Sequence, residues 1–115
     1  MRRIEYSQIV RRKLKILRAR LTNEFGAEIS EKSLKKIINA VNGLKIFAEK
    51  GVLLSAMYDI ECDYRYLYIG HNYFFYRIDG DRIIIVEMFG EREDFMYKLF
   101  GISTTAQETI DYWNE

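Results

Sequence analysis

The chain has 115 residues, 49% of them hydrophobic and 15% aromatic, and a formal net charge of +1. That much apolar material can bury a core, which excludes a disordered chain, and the length suits one domain over residues 1–115 rather than two. No stretch approaches the about 18 consecutive apolar residues of a membrane span, and no apolar signal core follows the charged start Met1-Arg2-Arg3-Ile4-Glu5, so a soluble cytoplasmic protein is expected.

Residues 2–6 alternate polar and apolar, as a short strand does. Ser7 then has the chemistry of an N-cap, because its hydroxyl can accept from an orphan amide of the first helical turn. Val10, Leu14, Leu17, Leu21 and Phe25 follow at intervals of three and four, which puts them on one helical face. Gly26 closes this helix, since glycine takes the left-handed C′ conformation at little cost. The same stretch is strongly basic. Residues 1–20 carry eight basic side chains and the single acid Glu5, or +7, against −6 for the rest of the chain. Arg11, Arg12 and Lys15 therefore form a candidate surface for an anionic partner, nucleic acid or an acidic protein segment; a merely solvated helix face is the plain alternative.

A second helix is predicted from near Ser30, with Glu31 in its first turn. Its apolar stripe runs Leu34, Ile37, Ile38, Val41, Leu44 and Ala48, and Gly51 closes it. With only Gly26–Ile29 between them, the two helices should pack antiparallel. Residues 52–63 read as an irregular connection with room for one short strand. It holds the lone cysteine, Cys62, which has no disulfide partner and fits a reducing compartment. One cysteine and one histidine cannot build a zinc site. A thiol nucleophile at Cys62 served by His71 is the sharper reading, and a structural cysteine the plainer one.

The pattern then changes to strands. Tyr64–Ile69, Tyr73–Ile78 and Arg82–Phe89 are rich in aromatic and β-branched residues. Gly70-His71-Asn72 separates the first two, and Asp79-Gly80 is a hairpin signal for the next turn. Ile83-Ile84-Ile85-Val86 is apolar on both faces, as a strand covered on both sides would be. Met96–Phe100 reads as a short helix or extended edge, and residues 103–113 as a last helix. The predicted order is β-α-α-loop-β-β-β-α, an α+β chain whose helical hairpin lies on a mainly antiparallel sheet.

Three stretches of this chain resemble the RelE/ParE family of toxins, the plasmid-stabilisation proteins of type II toxin–antitoxin systems. The first is Ile4-Glu5-Tyr6-Ser7 leading into the basic run Arg11–Arg20. The second is Asp63-Tyr64-Arg65-Tyr66-Leu67 leading into Tyr73-Phe74-Phe75-Tyr76-Arg77-Ile78. The third is Ile83–Phe89 with Gly90-Glu91-Arg92-Glu93-Asp94 and the closing Tyr97-Lys98-Leu99-Phe100. The resemblance implies a cognate antitoxin protein as partner. It also implies a target: first messenger RNA, cut in the ribosome without metal or cofactor, with DNA gyrase as the alternative. A non-enzymatic module of the same fold, capturing an acidic amphipathic helix on its basic hairpin, is the alternative from a different class.

Metal-free RNA cleavage needs a base for the 2′-hydroxyl, a cation for the developing phosphorane charge and an acid for the leaving oxygen. The resemblance places Arg92, Tyr97, Lys98 and Arg65 as the candidate catalytic set, with Arg77 adding charge for nucleic acid beside Arg11, Arg12 and Lys15. An arginine fork matches phosphate oxygens and a tyrosine ring stacks on a base. Each has a plainer reading: Arg92 as part of a surface ion-pair turn, Tyr64, Tyr66 and Tyr68 as one face of a sheet, and His71 as an exposed loop residue rather than a base.

Overall fold

The computed structural model describes residues 1–57 and 61–93. In chain order these form β1 (Arg3–Tyr6), α1 (Gln8–Phe25) and α2 (Ala27–Asn42), then two 3-10 turns at Gly43–Lys45 and Ala48–Lys50. After them come β2 (Val52–Leu53), a single-turn helix α3 (Leu54–Met57), β3 (Arg65–Ile69), β4 (Asn72–Asp79) and β5 (Arg82–Gly90). The architecture is the expected α+β hairpin on a sheet. The elements predicted at Met96–Phe100 and 103–113 lie outside the described residues.

Ser7 caps α1 as its chemistry suggested: its Oγ accepts from Val10 N at 3.1 Å and donates to Val86 O at 3.0 Å, so one hydroxyl joins the helix start to β5. Val10 and Leu17 of the predicted stripe are buried and Leu14 and Leu21 pack beside them, but Phe25 at the helix end is exposed. Gly26 has φ +93° and ψ 163°, outside the left-handed helical well, and serves at once as the end of α1 and the start of α2. The second helix therefore begins at Ala27 rather than Ser30, and the acid in its first turn is Glu28 rather than Glu31. Ser30 is buried between the helices, and its Oγ donates to Arg18 O at 3.2 Å. This helix also stops at Asn42, short of Gly51. The stripe residues Leu44 and Ala48 are buried, but from the two 3-10 turns.

The sheet has five strands in the order β1-β5-β4-β3-β2, with β1 parallel to β5 and every other pair antiparallel. The meander turns are tighter than the sequence suggested. Ile69 pairs with Asn72, leaving Gly70-His71 as a two-residue turn with both φ positive, at 57° and 66°. Asp79 pairs with Arg82, so the next turn is Gly80-Asp81, one residue later than predicted, with Gly80 at φ 61° supplying the left-handed position. A bulge in β5 sets Val86 between the pairs Tyr76–Ile85 and Phe75–Glu87. Because the extra residue resets the alternation, Ile85 and Met88 both face the helices although they are an odd three positions apart.

The helix-side core joins Val10, Leu17, Ile37, Val41 and Leu44 to Leu67, Ile69, Phe74, Tyr76, Ile83, Ile85 and Met88. Phe75, Phe89 and Leu54 form a second cluster on the other sheet face, with Cys62, Tyr64, Tyr66, Tyr73 and Val86 against it. The tyrosine run of β3 and β4 is thus a packed sheet face: Tyr66 and Tyr73 meet edge to face at 5.4 Å, and the rings of Tyr68 and Tyr73 lie tilted to each other at 5.0 Å.

Candidate functional site

The turn after β5 lies beside the tip of the β3–β4 hairpin. Glu91 N donates to His71 O at 2.9 Å, and Glu93 N donates to Gly90 O at 3.0 Å, closing a turn with Arg92 at its exposed end. The Glu93 carboxylate accepts from Gly90 N at 2.7 Å. The Glu91 carboxylate accepts from the Tyr68 hydroxyl and lies 3.1 Å from His71 Nδ1. The Tyr68 hydrogen bond, then that of His71, holds the Glu91 carboxyl below its ordinary range, and the Arg92 charge adds to this. The same bond raises the Tyr68 phenol, so the proton stays on the tyrosine and the charge on the acid.

This turn walls a groove of about 720 Å³ that runs between it and the closed end of the helical hairpin. Arg20, Lys36, His71 and Arg92 line it with nitrogen donors, Glu24, Glu91 and Glu93 with carboxylates, and Leu21, Phe25 and Ile29 with apolar surface. Phe25 and Ile29 are each at least half exposed. A groove of this kind, apolar along its floor and mixed in charge at its rim, suits a protein segment better than a bare phosphate backbone.

The candidate residues do not all converge there. Arg92 stands in the groove wall. Arg65 lies at the opposite end of β3, where its Nη1 donates to Glu49 O at 3.2 Å and Gly51 O at 3.1 Å, holding the chain before β2. Arg77 Nε is buried without a hydrogen bond and stands 3.9 Å from Asp63 Oδ2. Arg11, Arg12 and Lys15 are exposed along α1. Tyr97 and Lys98 lie outside the described residues. Cys62 is half-buried in the second cluster and His71 faces Glu91, so the two sit in separate environments. Among the described residues no group of three His, Cys, Asp or Glu side chains could hold a metal ion. No helix among them is long and apolar enough to cross a membrane.

Sequence reasoning passed over Arg20, Lys36 and Tyr68 as neighbours of Arg92. The acidic turn was visible, but not that its carboxylates are held by Tyr68 and by the Gly90 amide. Only the hairpin geometry, with His71 in the left-handed region, brings residues 68, 71 and 91 together.

No protein-family model matches the chain, and no curated protein matches it. Among solved structures, a chain of the chromosomal ParDE TA system from P. aeruginosa superposes with a TM-score of 0.64 at 18% identity, covering 78% of this chain and 96% of that one. The fold is RelE/ParE-like. At that identity the likeness concerns the backbone arrangement, so the chemistry rests on the side chains described above.

Proposed function

We propose that this chain is the toxin of a toxin–antitoxin pair, inhibiting growth when free and silenced by a small partner protein. The observation that carries the reading is the shared fold, which extends over almost the whole of a ParDE system chain. Partner capture is supported by the groove of about 720 Å³ with its apolar floor and its basic residues Arg20, Lys36 and Arg92.

For the target, the side chains favour arrest by binding, as in a gyrase-directed toxin, over ribosome-dependent mRNA cleavage. Arg65 is engaged with two backbone carbonyls away from Arg92, and Glu91 and Glu93 flank Arg92 with negative charge. A phosphorane needs the opposite field. The cleavage reading keeps one specific support: Arg92 is exposed beside the groove, where Tyr97 and Lys98 would have to supply the proton transfers.

Expression of the chain alone in a bacterial host tests both. Growth arrest that the protein encoded beside it relieves is the expected result, with a DNA-damage response and no ribosome stalling. Full growth with abundant folded chain would remove the toxin reading. Codon-specific mRNA ends appearing on induction and vanishing with Arg92→Ala would restore the cleavage reading.

A further inference from the structure

β1 pairs with β5 only from Arg82 to Ile85. Beyond that, β5 continues to Gly90 with β4 on one side and, among the described residues, no strand on the other. An open edge offers backbone donors and acceptors to any strand that can reach it. Here local atoms occupy them in turn. Val86 O accepts from Ser7 Oγ at 3.0 Å, and Met88 N donates to Glu87 Oε1 at 3.0 Å. Met88 O accepts from Lys13 Nζ at 2.9 Å, and Gly90 N donates to Glu93 Oε2 at 2.7 Å. Lys13 Nζ is also 2.6 Å from Glu87 Oε1 and 4.3 Å from the centre of the Phe89 ring. One ion pair, largely withdrawn from solvent, thus covers both backbone groups of Met88.

The pattern carries a register. Met88 turns both its N–H and its C=O outward, which is the arrangement of a hydrogen-bonded residue in an antiparallel ladder, where opposite residues exchange both bonds. Two copies related by a two-fold axis at Met88 would exchange those bonds with each other. The same axis sets Gly90 N of each copy opposite Val86 O of the other. The edge is therefore complementary to itself, as a two-fold interface requires. Ile16, which is 61% exposed, lies beside Met88 and Phe89 and adds apolar surface next to the strand.

We propose that the edge from Val86 to Gly90 is a pairing surface for a second copy of this chain, and that the Lys13–Glu87 clasp holds it shut and keeps the chain monomeric. The expected contact is antiparallel with Met88 opposite Met88.

The test compares the unaltered chain with Lys13→Ala/Glu87→Ala by light scattering from micromolar to millimolar concentration, with amide hydrogen exchange on the same samples. The unaltered chain should remain at 13.8 kDa. The double variant should move toward twice that mass, its Met88 and Gly90 amides slowing on the order of tenfold as the mass rises. A folded double variant that stays monomeric overturns the proposal. So does a dimer without protection at Met88 and Gly90, or an unaltered chain already paired through this edge. Should circular dichroism show the double variant unfolded, Lys13→Met/Glu87→Met, which removes both polar ends of the clasp while keeping the side-chain bulk, is read by the same criteria.

Discussion

Tyr76→Phe removes one oxygen from the centre of the helix-side core. That hydroxyl donates to Ala48 O at 2.7 Å and accepts from Gly51 N at 2.8 Å, tying the second 3-10 turn to β4. The ring itself is fully buried, so phenylalanine keeps the apolar contacts but strands a carbonyl and an amide in the interior. Each stranded group costs about 1–3 kcal/mol, and some relaxation toward solvent brings the expected total to about 2–4 kcal/mol. For a domain of this size that is a melting temperature lower by about 8–16 °C. Burial is the main cause raising the Tyr76 phenol above its ordinary value of 10.0. The folded state thus holds this proton more tightly than the unfolded chain. Its contribution is complete below the ordinary value and is lost as pH rises through the folded one. The phenylalanine variant has no such proton, so the two melting curves should converge above about pH 10. Tyr6, also raised by burial, is present in both proteins and cancels in the comparison. Thermal unfolding by circular dichroism from neutral to alkaline pH reads both effects. A variant that melts within about 2 °C of the unaltered chain at neutral pH, or a gap that stays constant into alkali, would show that the hydroxyl is not the buried link described. Gly51→Ala probes the same junction from the other side. A Cβ there would lie 2.6 Å from Tyr76 Cε1 and 2.8 Å from Tyr66 O, an overlap that Tyr76→Phe cannot relieve. It should cost about 1–3 kcal/mol in either background.

Arg65→Ala and Arg92→Ala should separate support from function. Arg65→Ala frees the Glu49 and Gly51 carbonyls and costs about 1 kcal/mol, whereas Arg92→Ala leaves the melting temperature unchanged and weakens growth arrest. Glu91, lowered chiefly by Tyr68 and then by His71, contributes stability that is present above its ordinary value of 4.5 and lost as pH falls through its folded value. Tyr68→Phe should therefore flatten the acid limb of the melting profile, and the alkaline limb too, because the phenol that the Glu91 bond raises is removed with it. Ser7→Ala, which loses both the cap on Val10 N and the partner of Val86 O, should cost about 1–2 kcal/mol by urea unfolding, with Ser7→Thr recovering most of it.

The site was legible only in part. Arg92 could be singled out only through the resemblance, and the structure places it in the wall of the groove. Arg65 could be located but not assigned a task, because its partners are backbone carbonyls of residues 49 and 51, and a carbonyl leaves no mark in a side-chain pattern. Lys13 was one basic residue among eight in the first twenty, and nothing local distinguishes it from Lys15. What separates them is that Lys13 reaches Glu87, 74 positions away, while Lys15 faces solvent.

Local periodicity determined what depends on neighbours within one element. The stripe of α1, the Ser7 cap, the aromatic alternation of β3 and β4 and the left-handed turn at Gly80 all follow from spacing and from the steric freedom of single residues. Tertiary structure decided what depends on register between distant segments. The helical hairpin carries β1 around to lie parallel with β5 only as far as Ile85, so among the described residues no strand pairs with the last half of β5 on that side. The bulge at Val86 then shifts the alternation by one residue, setting Met88 into the core, its backbone toward that edge and Glu87 within reach of Lys13. Two faces of a strand look identical in a list of residues. Which one a side chain takes is settled by the pairing, because a one-residue slip reverses every choice beyond it.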